Sequence, residues 1–227
     1  EIGKDGGNII TNVAGQTDPG YGIYTMYQNN LVVANNNITS TMAGLASTAV
    51  PYGIFLSDAL NASYDLYNNY VSMQYSGSPY SDFYAIYGSM GGSGTTNTVN
   101  IYNNTVTGCT YPTAEGGWIY YMKFVNLGVT TNAYGNVVSN NTLGSTSLAA
   151  VGRIDYMGFN KTNDNQGPMN IYNNSVTGNT RFSNYLVGQP MAYLNAGGNG
   201  TTLECHDNLI DNNITNSDHS IYGLYIT

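Results

Sequence analysis

Two short motifs recur along nearly the whole chain at one shared spacing. The clearest copies of the first read Asn-Ile-Tyr-Asn-Asn-Thr/Ser-Val-Thr, and the second reads Tyr-Gly-Ile-Tyr with variations. Copies of the first motif lie at 32–39, 65–72, 100–107, 136–143, 170–177 and 208–215. Copies of the second motif lie at 21–24, 52–55, 84–87, 117–120, 152–155 and 222–225, with a poor copy around Val187. Because both motifs return every 31 to 38 residues, the sequence indicates structural repeats that stack on one another.

Each repeat has the character of short β-strands joined by turns. The motifs are rich in Ile, Val, Tyr and Thr and are bounded by Gly, Asn, Ser or Pro. Helix-forming residues are scarce and no stretch has an apolar period of about 3.6 residues, so a helical solenoid is excluded. A propeller or a sandwich would not place one motif at one phase so often. We therefore predict an all-β fold, a right-handed single-stranded parallel β-helix of about six to seven coils, as one domain over 1–227.

Stacked coils place equivalent residues above one another in columns. Asn suits such a column because it tolerates the left-handed turn conformation and its amide can bond the amides above and below it. We predict a ladder of Asn36, Asn69, Asn104, Asn140, Asn174 and Asn212. We expect one buried interior column of Ile23, Ile54, Ile86, Ile119 and Ile154. We expect an outward aromatic ladder of Tyr24, Phe55, Tyr87 and Tyr120.

The two cysteines fall far apart in this register. Cys109 follows the first-motif copy at 100–107, and Cys205 precedes the copy at 208–215, so three coils separate them. At ~4.8 Å per coil the axial gap is about 14 Å, well beyond the ~7 Å between Cα atoms that a disulfide allows. We predict that no disulfide joins them within one chain.

The combination of the two motifs resembles a known repeat. The segment 21–24, followed by Asn35-Asn36-Asn37-Ile38-Thr39, is similar to the Gly-Ile-x strand, turn and Asn-x-Ile pattern of the pectate-lyase-like superfamily. The resemblance covers nearly the whole chain and implies a right-handed parallel β-helix. Members of that superfamily include polysaccharide lyases and hydrolases, phage tailspikes, adhesins and surface-layer components, so the resemblance implies the fold far more strongly than the function.

The charge of the chain restricts its partners and its location. Only 8% of the residues are charged, and five basic residues against thirteen acidic ones give a net charge of −8. A phosphate backbone or an anionic membrane surface needs a basic patch, so neither is an expected partner. No apolar run approaches the ~18 residues of a transmembrane helix. We predict no nucleic-acid partner and no membrane span.

Low charge also favours an extracellular, cell-surface protein. The chain has eight Asn-x-Ser/Thr sequons, although a chain this rich in Asn, Ser and Thr contains several by chance. The candidate glycosylation sites are Asn37, Asn61, Asn103, Asn140, Asn160, Asn173, Asn199 and Asn213.

One region combines aromatic and charged residues. Arg153 and Asp155 replace the usual small residue and tyrosine of the second motif, and four of the five basic residues lie between 123 and 181. The candidate carbohydrate-binding site comprises Glu115, Trp118, Tyr120, Lys123, Arg153 and Asp155. The competing interpretation is a patch of salt bridges between coils. We find no second carboxylate in phase with Asp155 for glycoside hydrolysis, and no catalytic, metal-binding or cofactor-binding motif. We therefore predict no catalytic residue, no metal and no cofactor.

The function we favour from the sequence is structural. Residues 1–15 correspond to the second half of a coil and residues 220–227 to the first half, so we expect copies to stack head to tail into a homopolymer. Such a protein would be the self-assembling building block of a surface layer, a sheath or a filament. The alternatives are a carbohydrate-binding or polysaccharide-degrading β-helix near Trp118, Arg153 and Asp155, and a viral spike domain.

Overall fold

The described part of the chain is built entirely from β-strands. The structure, a computed structural model, describes residues 1–13, 19–43, 50–57, 61–76, 81–91, 96–114, 117–145, 153–161, 167–183, 191–198, 202–216 and 220–226. These residues form 24 strands, and none of them is helical. A membrane-spanning helix is accordingly not found in the described segments.

The strands form three sheets in which every pairing is parallel. Sheet 1 has seven strands: β2 (Gly20–Met26), β5 (Pro51–Ser57), β8 (Phe83–Ser89), β12 (Ile119–Leu127), β16 (Ile154–Lys161), β20 (Met191–Gly197) and β24 (Ile221–Ile226). Sheet 2 has six: β3 (Leu31–Ala34), β6 (Tyr64–Tyr67), β9 (Thr98–Tyr102), β13 (Thr130–Tyr134), β17 (Met169–Tyr172) and β21 (Leu203–His206). Sheet 3 has eleven: β1 (Ile9–Thr11), β4 (Asn37–Ala43), β7 (Tyr70–Ser76), β10 (Thr105–Thr107), β11 (Thr110–Tyr111), β14 (Val137–Ser139), β15 (Thr142–Ser145), β18 (Ser175–Thr177), β19 (Thr180–Ser183), β22 (Leu209–Asp211) and β23 (Ile214–Thr215).

Each coil contributes a strand to sheet 2, then one or two strands to sheet 3, then one strand to sheet 1. A strand inside the stack therefore pairs with the strand one coil earlier and the strand one coil later, as β13 pairs with β9 and β17. This is the parallel β-solenoid that the repeat predicts, and the predicted all-β fold class is confirmed.

The interior of the solenoid is filled by apolar side chains from all three sheets. The column that begins at Ile23 continues through Ile54, Ile86, Met122, Met157, Leu194 and Leu224. Ile119 and Ile154 are buried as predicted, but they lie three residues earlier in the register, beside Phe83 and Met191. The single Ile column is therefore wrong for these two residues. The segments 117–120 and 152–155 resemble the second motif, but in the sheet they lie three residues before the position that the motif occupies in the earlier strands.

An Asn ladder runs along the corner between sheets 2 and 3. Its members are Asn8, Asn36, Asn69, Asn104, Asn136, Asn174 and Asn208, and each Nδ2 donates to the Oδ1 of the next Asn at 2.7–3.0 Å. A residue with positive φ precedes each member, as Asn103 (φ 54°) precedes Asn104 and Gly135 (φ 65°) precedes Asn136. The turn needs this left-handed conformation, which Asn and Gly adopt at low cost.

Asn140 and Asn212 were predicted in this ladder, and the prediction is wrong for both. They have positive φ values of 54° and 52° and lie at a second corner, within sheet 3. That corner has its own ladder, in which the Cys109 N–H, Asn141, Asn179 and Asn213 follow one another. Both corners use a residue with positive φ followed by Asn, so the first motif fits either corner. The sequence alone does not show that the ladder members are Asn136 and Asn208, four residues before the predicted Asn140 and Asn212.

The two cysteines are free thiols, in agreement with the predicted register. Cys109 lies in the buried core, where its Sγ accepts a hydrogen bond from the Met73 N–H at 3.4 Å. Burial raises the pKa of the Cys109 thiol to about 12. Cys205 lies on β21 and is half-buried.

Candidate functional site

The outer face of sheet 1 has two parallel columns of aromatic side chains. Column 1 contains Tyr21, Tyr52, Tyr84, Tyr120, Asp155, Ala192 and Tyr222. Column 2 contains Tyr24, Phe55, Tyr87, Lys123, Gly158, Asn195 and Tyr225. Consecutive rings within a column lie 4.8–5.5 Å apart between centroids. The predicted ladder is confirmed for its first three members, whereas Tyr120 belongs to column 1 because of the three-residue shift in β12.

A buried charged cluster interrupts both columns. Lys123 Nζ donates to Asp155 Oδ2 at 2.6 Å and to Asn160 Oδ1 at 2.6 Å. Arg153 Nε donates to Asp155 Oδ1 at 3.1 Å, and Asn195 Nδ2 donates to Oδ2 at 3.3 Å. The carboxylate is fully buried, and burial lowers the pKa of Lys123 while its attraction to Asp155 opposes that shift. One carboxylate thus serves two cations, which is the salt-bridge patch that the sequence left open as an alternative.

A small notch lies next to this cluster. It is lined by Arg153, Asp155, Ala192, Tyr222 and Tyr225. Ala192 has too short a side chain to continue column 1. The rings of Tyr222 and Tyr225 are therefore separated from the Asp155 carboxylate by this notch. The Arg153 side chain is 39% exposed and forms one side of the gap. A polar ligand could reach the guanidinium here and lie against the tyrosine rings.

Five of the six residues of the candidate carbohydrate site lie close together. Ile119 N–H donates to Arg153 O at 3.0 Å, which sets Trp118 beside Arg153. The indole is exposed and its centroid is 6.2 Å from that of Tyr120, whose ring lies 5.5 Å from Lys123 Nζ. Glu115 lies outside the described residues.

A second carboxylate lies beside the cluster, because Asp82 Oδ1 accepts a hydrogen bond from the Trp118 N–H at 2.6 Å. Glycoside hydrolysis needs two carboxylates on either side of the scissile bond. In the cluster Asp155 is held by two cations, and the prediction that the chain has no catalytic residue stays a prediction. Within the described segments, no group of three or more His, Cys, Asp or Glu side chains could hold a metal ion.

Sheet 2 presents two further columns that the sequence analysis did not identify. The first is a stack of Tyr67, Tyr102, Tyr134, Tyr172 and His206, with centroids 4.8–5.4 Å apart. Beside it, Asp65, Asn100, Asn132 and Asn170 form an outward ladder through hydrogen bonds of 2.8–2.9 Å. The signal was present in the recurring Asn-Ile-Tyr of the first motif, whose alternate residues share one face of the strand.

The first and last coils expose apolar side chains. The exposed aliphatic ones are Ile9 at 82% in the first coil, and Leu209, Ile214, Ile221, Leu224 and Ile226 at 41–58% in the last. Gly223 also faces open space, because a Cβ built on it would meet no atom within 4 Å. Groups of this kind at one end of a solenoid are a surface on which another layer can pack.

The sequons differ in how accessible their amides are. Five of the eight Asn residues are exposed: Asn37, Asn61, Asn103, Asn140 and Asn173. Asn213 Nδ2 donates to Val176 O at 2.7 Å, and Asn160 Oδ1 accepts from Lys123, so these two side chains have structural roles. Asn199 lies outside the described residues.

Comparisons with protein-family models, with curated proteins and with solved structures each find no match to this chain. The relationship to the pectate-lyase-like superfamily therefore stays a prediction from the motifs, and the function has to be argued from the chain itself.

Proposed function

We propose that this chain is an extracellular structural protein whose copies stack head to tail, the last coil of one copy on the first coil of the next. Such stacking would build a filament or sheath, or a layer at the cell surface. The observation that carries the proposal is the match between the two edge strands of sheet 1. In the columns of the solenoid, Tyr-Gly-Leu-Tyr at 222–225 in β24 is aligned with Tyr-Gly-Ile-Tyr at 21–24 in β2.

The pairing of β2 with β5 supplies a template for this junction. There, Tyr21 stacks on Tyr52 with centroids 4.9 Å apart, and Ile23 faces Ile54. Gly22 permits the close approach, since a Cβ at this position would lie 2.5 Å from Gly53 O. The strands β12, β16 and β20 have different residues in these columns, whereas β5 and β8 keep nearly the same pattern as the two edge strands.

The Asn ladder supports stacking in one direction. In each step, the backbone N–H and the Nδ2 of one Asn donate to the Oδ1 of the Asn in the next coil. Within the described segments, Asn208 offers its N–H at the top of the ladder and Asn8 offers its Oδ1 at the bottom. Donors thus meet acceptors only when the top of one copy meets the bottom of another. A contact of this kind does not close on itself and builds an open filament.

Exposed apolar residues of sheet 3 match in the same arrangement. Leu209, 53% exposed, and Ile9, 82% exposed, occupy one outward column. Ile210 and Ile10 occupy the adjacent inward column. Bringing these side chains together removes apolar surface from water, which stabilises the contact by about 25 cal/mol per Å². The low charge of the chain and its five exposed sequons support the extracellular location.

The test is the assembly state of the 227-residue chain and of one matched pair of variants. We expect filaments by negative-stain electron microscopy and large species in sedimentation velocity. Gly223→Ala should fold normally, because its Cβ meets open space in the free chain. At the junction the added methyl group would be pressed against the Gly22 carbonyl of the next copy, as the β2–β5 template shows, so assembly should weaken.

Gln74→Ala is the control, since Gln74 is exposed in the middle of the solenoid, away from both end coils. A monodisperse wild-type monomer at high concentration would contradict the proposal. Equal assembly of Gly223→Ala and wild type would contradict the proposed register.

The notch beside Asp155 supports one second candidate, a saccharide-binding β-solenoid. The partly exposed Arg153 guanidinium and the rings of Tyr222 and Tyr225 could hold a sugar through hydrogen bonds and ring contacts. The test is binding to a polysaccharide panel, with Arg153→Ala as the variant. Binding that Arg153→Ala leaves unchanged would argue against this site.

A further inference from the structure

The proposed stacking brings the tyrosines of the two end coils together, and the following inference rests on it. We propose that the head-to-tail contact is a site of oxidative cross-linking, in which Tyr222 couples to Tyr21 of the next copy and Tyr225 couples to Tyr24. The cross-link would make an assembled filament resistant to dissociation.

The β2–β5 pair gives the ring geometry expected at this junction. Tyr21 and Tyr52 stack with centroids 4.9 Å apart and planes inclined by 14°, and Tyr24 lies 5.4 Å from Phe55. Within each end strand the two tyrosines also touch, at 4.8 Å for Tyr21 with Tyr24. A junction with the same register therefore brings four phenols, two from each copy, into ring contact.

The two tyrosines of the last coil are separated from the aromatic columns of their own chain. Tyr222 stacks on Ala192 and Tyr225 stacks on Asn195, and neither of these residues has a ring. Tyr222 and Tyr225 lie 4.7 Å apart, so each has the other as its aromatic neighbour within the described part of the chain. A radical formed on Tyr222 or Tyr225 thus has phenols to couple with in its own strand and in the next copy, but its column partner in the coil beneath has no phenol.

The coupling requires a one-electron oxidant such as a peroxidase with hydrogen peroxide. Each phenol gives up one electron and one proton, and the two phenoxyl radicals form a bond between ring carbons adjacent to the oxygens. The hydrogens on those carbons move to the oxygens, which restores both aromatic rings. Hydrogen peroxide accepts the two electrons and two protons and becomes two molecules of water, so atoms and electrons balance.

The experiment treats assembled protein with peroxidase and hydrogen peroxide and examines it on denaturing gels. We expect a ladder of covalent oligomers, dityrosine fluorescence, and a cross-linked peptide that joins 220–226 to 20–26. Coupling within one chain, for example between Tyr102 and Tyr134 in sheet 2, gives the same fluorescence without oligomers. The oligomers and the peptide map are therefore the decisive readouts.

The double variant Tyr222→Phe with Tyr225→Phe separates the cross-link from the assembly. Phe55 shows that column 2 accepts a phenylalanine between two tyrosines, so this variant should still form filaments. It should lose the covalent oligomers because it lacks the two phenols. Tyr102→Phe, in the sheet 2 stack, is the control and should keep them.

The outcomes distinguish the two proposals. Filaments that yield no covalent oligomers, or oligomers linked through other tyrosines such as the exposed Tyr27, would overturn the cross-link and leave the stacking intact. Absence of both filaments and oligomers would overturn both.

Discussion

Replacing Asn104 with alanine tests how much of the stability comes from the corner ladder. The Asn104 side chain accepts hydrogen bonds from the N–H and Nδ2 of Asn69, at 3.1 and 3.0 Å. It donates to Leu66 O at 2.8 Å and to Asn136 Oδ1 at 3.0 Å. At about 0.5–1.5 kcal/mol net for each hydrogen bond, Asn104→Ala should lower the free energy of unfolding by about 2–6 kcal/mol. The upper part of this range is expected, because Asn104 is fully buried and water does not replace the lost partners.

Urea unfolding followed by circular dichroism measures this difference. Asn37→Ala is the matched control, since Asn37 is exposed at the start of β4, two coils before Asn104, and it should change the free energy of unfolding by less than about 0.5 kcal/mol. Asn104→Asp keeps the shape and the acceptors but loses both amide donors, so it should also be strongly destabilising. A decrease in the free energy of unfolding of less than about 1 kcal/mol for Asn104→Ala would refute the view that each of the four hydrogen bonds contributes to stability.

Two further predictions concern the buried cysteine and the buried ion pair. Native protein should react with Ellman's reagent at Cys205 alone, because burial raises the Cys109 pKa to about 12 while an unfolded thiol ionises near 9. The Cys109 contribution to stability is therefore complete below about pH 9 and lost as the pH rises toward 12; equal labelling of both thiols in the native state would contradict this. Asp155→Ala should cost about 3–5 kcal/mol in urea unfolding, because it leaves the buried Lys123 without its counter-charge. The double variant Lys123→Met with Asp155→Leu should recover much of that loss, and failure to do so would show that the charges themselves are needed.

The fold could be predicted from the sequence because two motifs share one period. Helix-forming residues are scarce, which argues against a helical repeat. Strand-like motifs that return every 31 to 38 residues then fit a parallel β-solenoid better than a propeller or a sandwich. Register was less predictable, since residues of the same type occupy more than one position in a coil. Asn140 and Asn136 are both suited to a corner, and only the pairing of the strands decides which one joins the ladder of Asn104.

The sequence predicted which residues form the candidate site, but it did not predict that their charges are buried. Arg153 and Asp155 indicated the position of the cluster, because they are charged residues where the other copies of the second motif have a small or an aromatic residue. Its burial could not be read from the sequence, since the shift in β12 that moves Lys123 into column 2 depends on how the strands pair. Arg181 is a similar case: it lies buried in the interior beside Leu143, with its Nη1 3.9 Å from Met191 Sδ.

The uniform direction of the Asn ladder makes the two ends of the solenoid chemically different. One end offers a carbonyl oxygen at Asn8 and the other offers N–H groups at Asn208, so a filament of stacked copies would be polar and its ends would elongate at different rates. A Gly223→Ala copy keeps an unaltered first coil and could still dock onto the last coil of a growing filament. Its altered last coil would then bind the next copy more weakly, so small amounts of the variant should shorten the filaments of the wild-type protein.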